Sequence, residues 1–286
     1  MRLAVFVFRI AYEAFLGFLR DDGWAIASHI ALSTLMSLFP FLIFVTALTG
    51  FLFGTEDLAD QVARIVLDAW PPEVAGPIAN EIASVLNNTH SDLLTAGVVL
   101  ALYFSSSGVE SLRIGLNRAY NVTEMRPWWL LRLESIGYVV IGAVGLSSLA
   151  FLIVLAPLLL REAHRYAPWL EGLNTVFTFA RYGIAATVLV VALFLVHKWL
   201  PYGRRRIAEI APGIAATLVL WIVTGAAFGR YLAEFSSAYV ATYAGLASAM
   251  VALVFLYWTA GIFVYGGELN AAIRQAIGKK KGAGQS

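Results

Sequence analysis

The sequence predicts an all-α polytopic membrane protein, and three observations carry that prediction. Apolar residues make up 60% of the 286-residue chain and charged residues only 13%, against about 45–50% and about 25% in a soluble domain. The mean hydropathy of +0.76 leaves too few charges to cover a water-facing surface. Long uncharged runs recur, beginning with Trp24 to Phe53, and at about 1.5 Å rise per residue roughly 20 residues cross the hydrocarbon. A bilayer offers no hydrogen bonds to the backbone, so each such run reads as a helix.

The first element, residues 1–22, reads as an amphipathic helix lying in the membrane interface. Arg2, Arg9, Glu13 and Arg20 fall on one narrow stripe, with Phe6, Phe8, Tyr12, Phe15, Phe18 and Leu19 around the remainder. Charges spaced in this way argue for a retained helix over a cleaved signal. Asp21-Asp22-Gly23 then supplies a helix start. Six spans are expected at about 24–53, 93–112, 134–160, 175–197, 208–232 and 244–270, within a transmembrane domain covering 23–272. The acidic stretch 55–92 between the first two carries two short apolar faces. One runs through Leu58, Val62, Ile65, Val66 and Ala69; the other follows Pro71-Pro72 through Ile78, Ile82, Val85 and Leu86. Two surface helices in an extracytoplasmic insert fit that pattern. The remainder, 273–286, is expected to be a basic, disordered cytoplasmic tail.

Orientation follows from basic residues near the span ends. With the N-terminus inside, the inner side holds Arg2, Arg9, Arg20, Arg113, Arg118, Arg126, Arg132, Lys198, Arg204, Arg205, Arg206, Arg274, Lys279, Lys280 and Lys281. The outer side holds only Arg64, Arg161, Arg165 and Arg230. Both termini are therefore expected in the cytoplasm.

Several chemistries have no residues to run on. The chain has no cysteine, and its four histidines (His29, His90, His164, His197) make no metal-ligand spacing. H-E-x-x-H, G-x-S-x-G, G-x-x-x-x-G-K-[ST] and G-x-G-x-x-G are all missing. The expectation is a protein without catalytic residues, metal or cofactor, hence not an enzyme. A net charge of +2 likewise carries no excess suited to nucleic acid.

Polar residues inside or beside the spans are costly and each needs a reason. Glu110, Arg113 and Asn117 share one helical face, with Arg118 beside them, and Arg126-Pro127-Trp128-Trp129 sets a rigid turn at headgroup depth. His29, Ser33 and Ser37 recur every four residues; Asn174, Thr178 and Arg181 share a second face; Glu268 and Asn270 sit near the inner end of the last span. His29, Glu110, Arg113, Asn117, Arg118, Arg181, Glu268 and Asn270 form a candidate substrate path. Arg126, Arg204, Arg205 and Arg206 form a candidate rim for an anionic headgroup. Glu268 is expected to face Arg113 or Arg118 across the mouth of that path. Weighed against this, inner arginines satisfy topology alone, hydroxyls bond their own helix, and Gly225-Ala-Ala-Phe-Gly229 implies only close helix approach.

These segments are where the chain resembles the YihY/BrkB family of bacterial inner-membrane proteins. The likeness rests on Ser37-Leu38-Phe39-Pro40, on Leu116-Asn117-Arg118-Ala119-Tyr120 with Glu124 and Arg126-Pro127, and on Leu200-Pro201 and Pro212-Gly213. Thr242-Tyr243 and Gly267-Glu268-Leu269-Asn270 complete it. Tyr243-Ala244-Gly245 and Tyr257-Trp258 depart from the family's usual order. The resemblance implies about six helical spans in an inner membrane. Some members were once labelled ribonucleases, but the cytoplasmic acids Glu110, Glu124, Glu134 and Glu209 are scattered in the sequence, and a nuclease needs them clustered for metal.

The expectation is thus a secondary transporter or flippase-like exporter, with membrane lipid or another anionic amphiphile as its partner. One alternative is a non-catalytic scaffold that docks an envelope protein through 55–92; a membrane-associated ribonuclease ranks below it. Reporter fusions test the topology. Fusions at Asn88, Glu171 and Ser237 should report the extracytoplasmic side, and fusions at Glu124, Gly203 and the tail the cytoplasm; reversal at two positions overturns six spans.

Overall fold

A computed structural model describes residues 2–53, 91–166, 174–243 and 247–283. These are helical apart from short turns: α1 (Arg2–Arg20), α2 (Gly23–Phe53), α3 (Ser91–Ala119), α4 (Trp128–Tyr166), α5 (Asn174–Trp199), α6 (Ile207–Tyr243) and α7 (Ala247–Ala283). Among the described residues four stretches are long and apolar enough to cross a bilayer: Gly23–Val45, Trp128–Leu149, Ile207–Glu234 and Ala249–Gly278. Gly183–Trp199 is a shorter apolar helix. The second expected span lies in α3, which is helical through its serines, and Ser105 and Ser106 satisfy their hydroxyls within the helix by donating to the Ala101 and Tyr103 carbonyls, each at 2.6 Å. The expected insert 55–92 lies, except for its last two residues, outside the described residues.

The chain divides into two compact units. One comprises Met1–Met36, Ser107–Arg132 and Ala192–Ser286; the other comprises Ser37–Ser106 and Leu133–Val191. The second unit buries Leu42, Val45, Ala143 and Ser147. The candidate residues whose side chains are described all belong to the first.

That first unit is organised around α7. Helix α6 runs antiparallel to it, and the two backbones meet at Gly213 and Gly266. A Cβ on Gly213 would fall on the Gly266 carbonyl and the Asn270 amide, and one on Gly266 would fall on the Thr217 hydroxyl. Farther along, larger groups fill the seam. Trp221 Nε1 donates to the Thr259 carbonyl at 2.9 Å, and the Phe228 and Phe255 rings lie 5.4 Å apart. The expectation of close approach at Gly225 and Gly229 is therefore corrected. A Cβ at either meets nothing within 4 Å among the described residues. The helices touch backbone to backbone at Gly213 and are held apart by Trp221 and Phe228 before Gly229 is reached.

Helix α1 docks on the other side of α7. Ile10 and Ala14 pack with Ala272 against Tyr265, Leu269, Ile273 and Ala276, and the Tyr265 hydroxyl donates to the Ala11 carbonyl at 3.1 Å. Arg9 and Glu13 pair at 3.2 Å on a second face. Val5, Phe8, Tyr12, Phe15 and Leu19 are left exposed on a third. The interfacial helix read from the sequence thus has three faces, one packed, one charged and one apolar and open. Its exit is tight: Asp22 adopts a left-handed φ of 57°, and the Phe18 ring lies where a Cβ on Gly23 would be. Helix α7 also continues to Ala283, so residues 273–283 are helical where a disordered tail was expected. Ile273 and Ala276 anchor that extension on α1, and no proline interrupts it.

The Gly213 contact yields a stability test. Ala normally gains about 1 kcal/mol over Gly inside a helix, whereas overfilling a packed site costs about 1–3 kcal/mol. At Gly213 the obstacle is backbone and cannot yield, so Gly213→Ala should lower the melting temperature in detergent by several degrees. Gly225→Ala, in open space, should leave it unchanged or raise it.

Candidate functional site

The first unit gathers most candidate residues at one end, where α3 stops and the α3–α4 and α5–α6 connections lie. Helix α3 ends in a Schellman motif: Val122 N donates to Asn117 O at 2.9 Å and Asn121 N to Arg118 O at 2.8 Å. Asn121 takes the left-handed conformation (φ 52°) that glycine usually supplies. This stop fixes Asn117 and Tyr120 against the two connections.

Asn117 bridges them. Its Nδ2 donates to Glu124 Oε2 at 3.0 Å, and its Oδ1 accepts from Tyr202 N at 2.8 Å. Glu124 in turn accepts from Arg126 Nε and Nη2 at 2.8 Å each and from the Arg126 backbone N–H at 3.1 Å. The Arg126 bonds hold the Glu124 carboxyl far below the usual carboxylate range, at about 2. Arg126 Nη2 also reaches the Leu200 carbonyl at 2.9 Å. Two turns earlier on α3, Glu110 accepts from Arg113 at 3.2 Å and from Arg132 at 2.7 Å, while Arg113 also donates to the Leu131 carbonyl at 2.9 Å. Arg113 is 2% exposed, so its charge is held by Glu110 and by the end of α3's neighbour α4.

Asn270 forms a further cluster from α7. Its Oδ1 accepts the Gly213 N–H at 2.7 Å, and its Nδ2 donates to the Tyr120 hydroxyl at 3.1 Å. Pro212, which has no N–H of its own to give, immediately precedes this contact in α6. Arg205 lies over the Tyr120 ring at 4.0 Å and donates to the Tyr202 carbonyl at 3.2 Å. Burial pushes the Tyr120 hydroxyl up to about 12, and burial pulls the Arg205 guanidinium below its ordinary value. His197 is fully buried, with Nδ1 3.1 Å from the Leu193 carbonyl and its ring edge-on to Phe263.

Several expectations change in this light. Glu110 with Arg113, Asn117 with Arg126 through Glu124, and Asn270 with Tyr120 form separate hydrogen-bonded clusters, and Arg205 stacks on Tyr120. Arg126 and Arg205 leave the expected rim: the first is taken by Glu124 and Leu200, the second is buried by stacking on Tyr120. Arg204, Arg206 and Arg118 are exposed. Glu268 faces neither Arg113 nor Arg118. It is 5% exposed, its Oε2 sits 2.7 Å from where a Gly17 Cβ would be, and its charged neighbours are Asp21 and Arg20. The rotation of α7 that aims Asn270 at α6 turns Glu268 toward α1. His29 is exposed on α2, away from these clusters, and the Arg181 side chain lies outside the described residues. Sequence reasoning missed Tyr120, Tyr202 and Glu124 as partners, although Glu124 and Tyr120 stood inside the motifs that carried the family likeness.

A second feature of the same unit is an apolar groove of about 190 Å³ lined by Phe15, Phe18, Trp24, Leu220, Trp258, Gly261, Ile262 and Tyr265. Trp24 meets the Phe18 ring edge-on at 4.9 Å and stacks on Tyr257 at 5.7 Å.

These helices and these clusters define a helical membrane protein whose connections are stapled by arginine, asparagine and part-buried carboxylate. The chain belongs to the family described as virulence factor BrkB, whose profile matches residues 14–286. Relatives extend the likeness over most of the chain. A Bacillus subtilis (strain 168) protein with the provisional name ribonuclease-like protein YfkH is 29% identical, over 92% of this chain and 94% of its own length. A UPF0761 membrane protein of Rhodospirillum centenum is 25% identical over 90% of this chain, which spans 55% of that protein's length. Another from Alteromonas mediterranea is 21% identical over 92% of this chain and 87% of its own. No solved structure matches the chain significantly.

The Glu124 staple gives a pH test. Because its folded-state value lies below its ordinary 4.5, its stabilising contribution is complete above about pH 4.5 and is lost as pH falls toward about 2. Melting curves of wild type and Glu124→Gln should differ at pH 6, with wild type the more stable, and converge as the pH approaches 2.

Proposed function

We propose that this chain is a transporter or flippase-like exporter of an anionic amphiphile in a bacterial inner membrane, with both termini in the cytoplasm. The observation that carries the reading is a division of charge. At the stapled end Glu110 and Glu124 are already bridged by arginines, whereas Arg118, Arg204 and Arg206 stand exposed with no acid paired to their guanidinium groups among the described residues. Positive charge remains for an external anion there. The apolar groove walled by Phe15, Phe18, Trp24 and Trp258 suits an acyl chain. An amphiphile has two halves, and the first unit has a surface for each.

The same geometry supports a non-enzymatic role. A metal-dependent nuclease requires carboxylates free to take a cation, and Glu110 and Glu124 each accept from two side chains of their own protein. The name of the Bacillus relative supplies the competing reading, ribonuclease activity. Proteoliposomes distinguish the two. Purified protein should accelerate movement of a fluorescent anionic lipid between leaflets relative to protein-free vesicles. Replacing Arg118, Arg204 and Arg206 together by glutamine should slow it several-fold, most strongly at low salt. Equal rates with and without protein remove the transport reading, and RNA cleavage that disappears in Glu110→Gln replaces it with the enzyme.

A further inference from the structure

We propose that Arg205, Arg274 and Tyr120 form a binding site for a phosphate group in the small cleft between α6, α7 and the end of α3. The cleft is lined by Tyr120, Arg205, Glu209, Ile210, Asn270 and Arg274. Its volume of about 10 Å³ admits one oxygen-sized atom. A ligand therefore enters it with a single oxygen and keeps its bulk at the surface, where Arg274 is exposed.

Arg205 is the observation that points to a ligand. It is 7% exposed, its Nε is buried without a hydrogen-bond partner, and no carboxylate pairs with it among the described residues. Its contacts are the Tyr120 ring and two backbone carbonyls, Pro201 at 3.5 Å and Tyr202 at 3.2 Å. A buried guanidinium held in this way is costly unless an anion comes to it. Compare Arg113, equally buried, which has Glu110 and the Leu131 carbonyl.

The remaining lining fits the same ligand. Arg274 acts electrostatically on both Arg205 and Tyr120, so two like charges share the cleft. Glu209 lines it too and offsets one of them, while its Oε2 is directed to the Arg206 backbone N–H at 3.4 Å. The lining thus keeps one net positive charge. The Tyr120 oxygen accepts from Asn270, which leaves its own proton to give. Two guanidinium groups and a hydroxyl line one cleft; the single phosphate oxygen that enters accepts from Arg205 and Tyr120, and the oxygens left at the surface meet Arg274. A phosphate group can arrive on a lipid headgroup or as free inorganic phosphate. The preference for lipid rests on the transport reading above; the cleft itself does not.

Binding to the full-length protein in detergent tests the site, with thermal stabilisation as readout. Mixed micelles containing phosphatidic acid and inorganic phosphate in solution are the two probes, and phosphatidylcholine micelles are the reference. Phosphatidic acid should stabilise wild type. Arg274→Gln, an exposed position that the fold does not need, should weaken that binding about tenfold, as loss of a charge-assisted bond implies. Tyr120→Phe, which keeps the ring under Arg205, should weaken it several-fold. Arg9→Gln removes the same charge far from the cleft and should change it less than twofold. Stabilisation by inorganic phosphate with the same dependence on Arg274 also upholds the site and makes free phosphate its ligand. Equal loss in Arg9→Gln and Arg274→Gln reduces the effect to net charge and overturns the site, as does absence of binding by either probe. Binding without lipid movement in proteoliposomes would leave the site standing and remove only the transport reading. Lipid movement indifferent to Arg274→Gln, with no binding defect, would do the reverse.

Discussion

The Asn270 side chain is the joint on which the first unit depends. Its amide accepts from Gly213 and donates to Tyr120, so one residue of α7 fixes both the start of α6 and the end of α3. The bilayer makes this necessary. Polar groups at the crossing of two apolar helices find little water, and an unsatisfied one costs several kcal/mol. A carboxamide donates and accepts at once from one planar group and carries no charge. Gly213 and Gly266 then follow as consequences, because only bare backbone lets α7 come close enough to deliver the amide.

From that joint the polar chemistry spreads in one direction. Tyr120 carries Arg205 on its ring; the Schellman stop of α3 that positions Tyr120 also positions Asn117; Asn117 then holds Glu124 and Tyr202. Each acid in these clusters has arginine partners, yet the arginines outnumber the acids. That surplus divides into exposed charges, Arg118, Arg204 and Arg206, and the buried Arg205. The exposed group attracts over a distance set by salt. The buried one has already lost its water, so an anion that reaches it meets a stronger field.

At the other side of α7 the arrangement is different in kind. Glu268 is buried against Gly17, with Asp21 and Arg20 as charged neighbours. It lies two residues, about 200° of helical rotation, from Asn270 on the same helix, and the two face different partners. Helix α7 thus presents an amide to α6 and an acid to α1, and the aromatic groove of Phe18, Trp24 and Trp258 lies along the α1 side. The apolar face of α1 formed by Phe8, Tyr12 and Phe15 remains available to lipid.

The sequence by itself determined the environment and most of the secondary structure. Composition and uninterrupted apolar runs leave a chain no alternative to helices in a bilayer, and Asp21-Asp22-Gly23 and Pro127 mark helix boundaries through their own backbone preferences. It also put Glu110, Arg113 and Asn117 on one face, because helical spacing is a local property. Only the tertiary structure decided which polar residues meet. Arg204, Arg205 and Arg206 are indistinguishable in the sequence, but the turn at Gly203 buries the middle one on Tyr120 and exposes its neighbours. Glu268 and Asn270 differ by two residues, yet about 200° of helical rotation separates their partners. Gly225 and Gly229 carried the motif for close approach, and Gly213 makes the contact. Pairing of this kind depends on where helices cross and how each is turned about its axis, and those are set by the summed packing of distant segments.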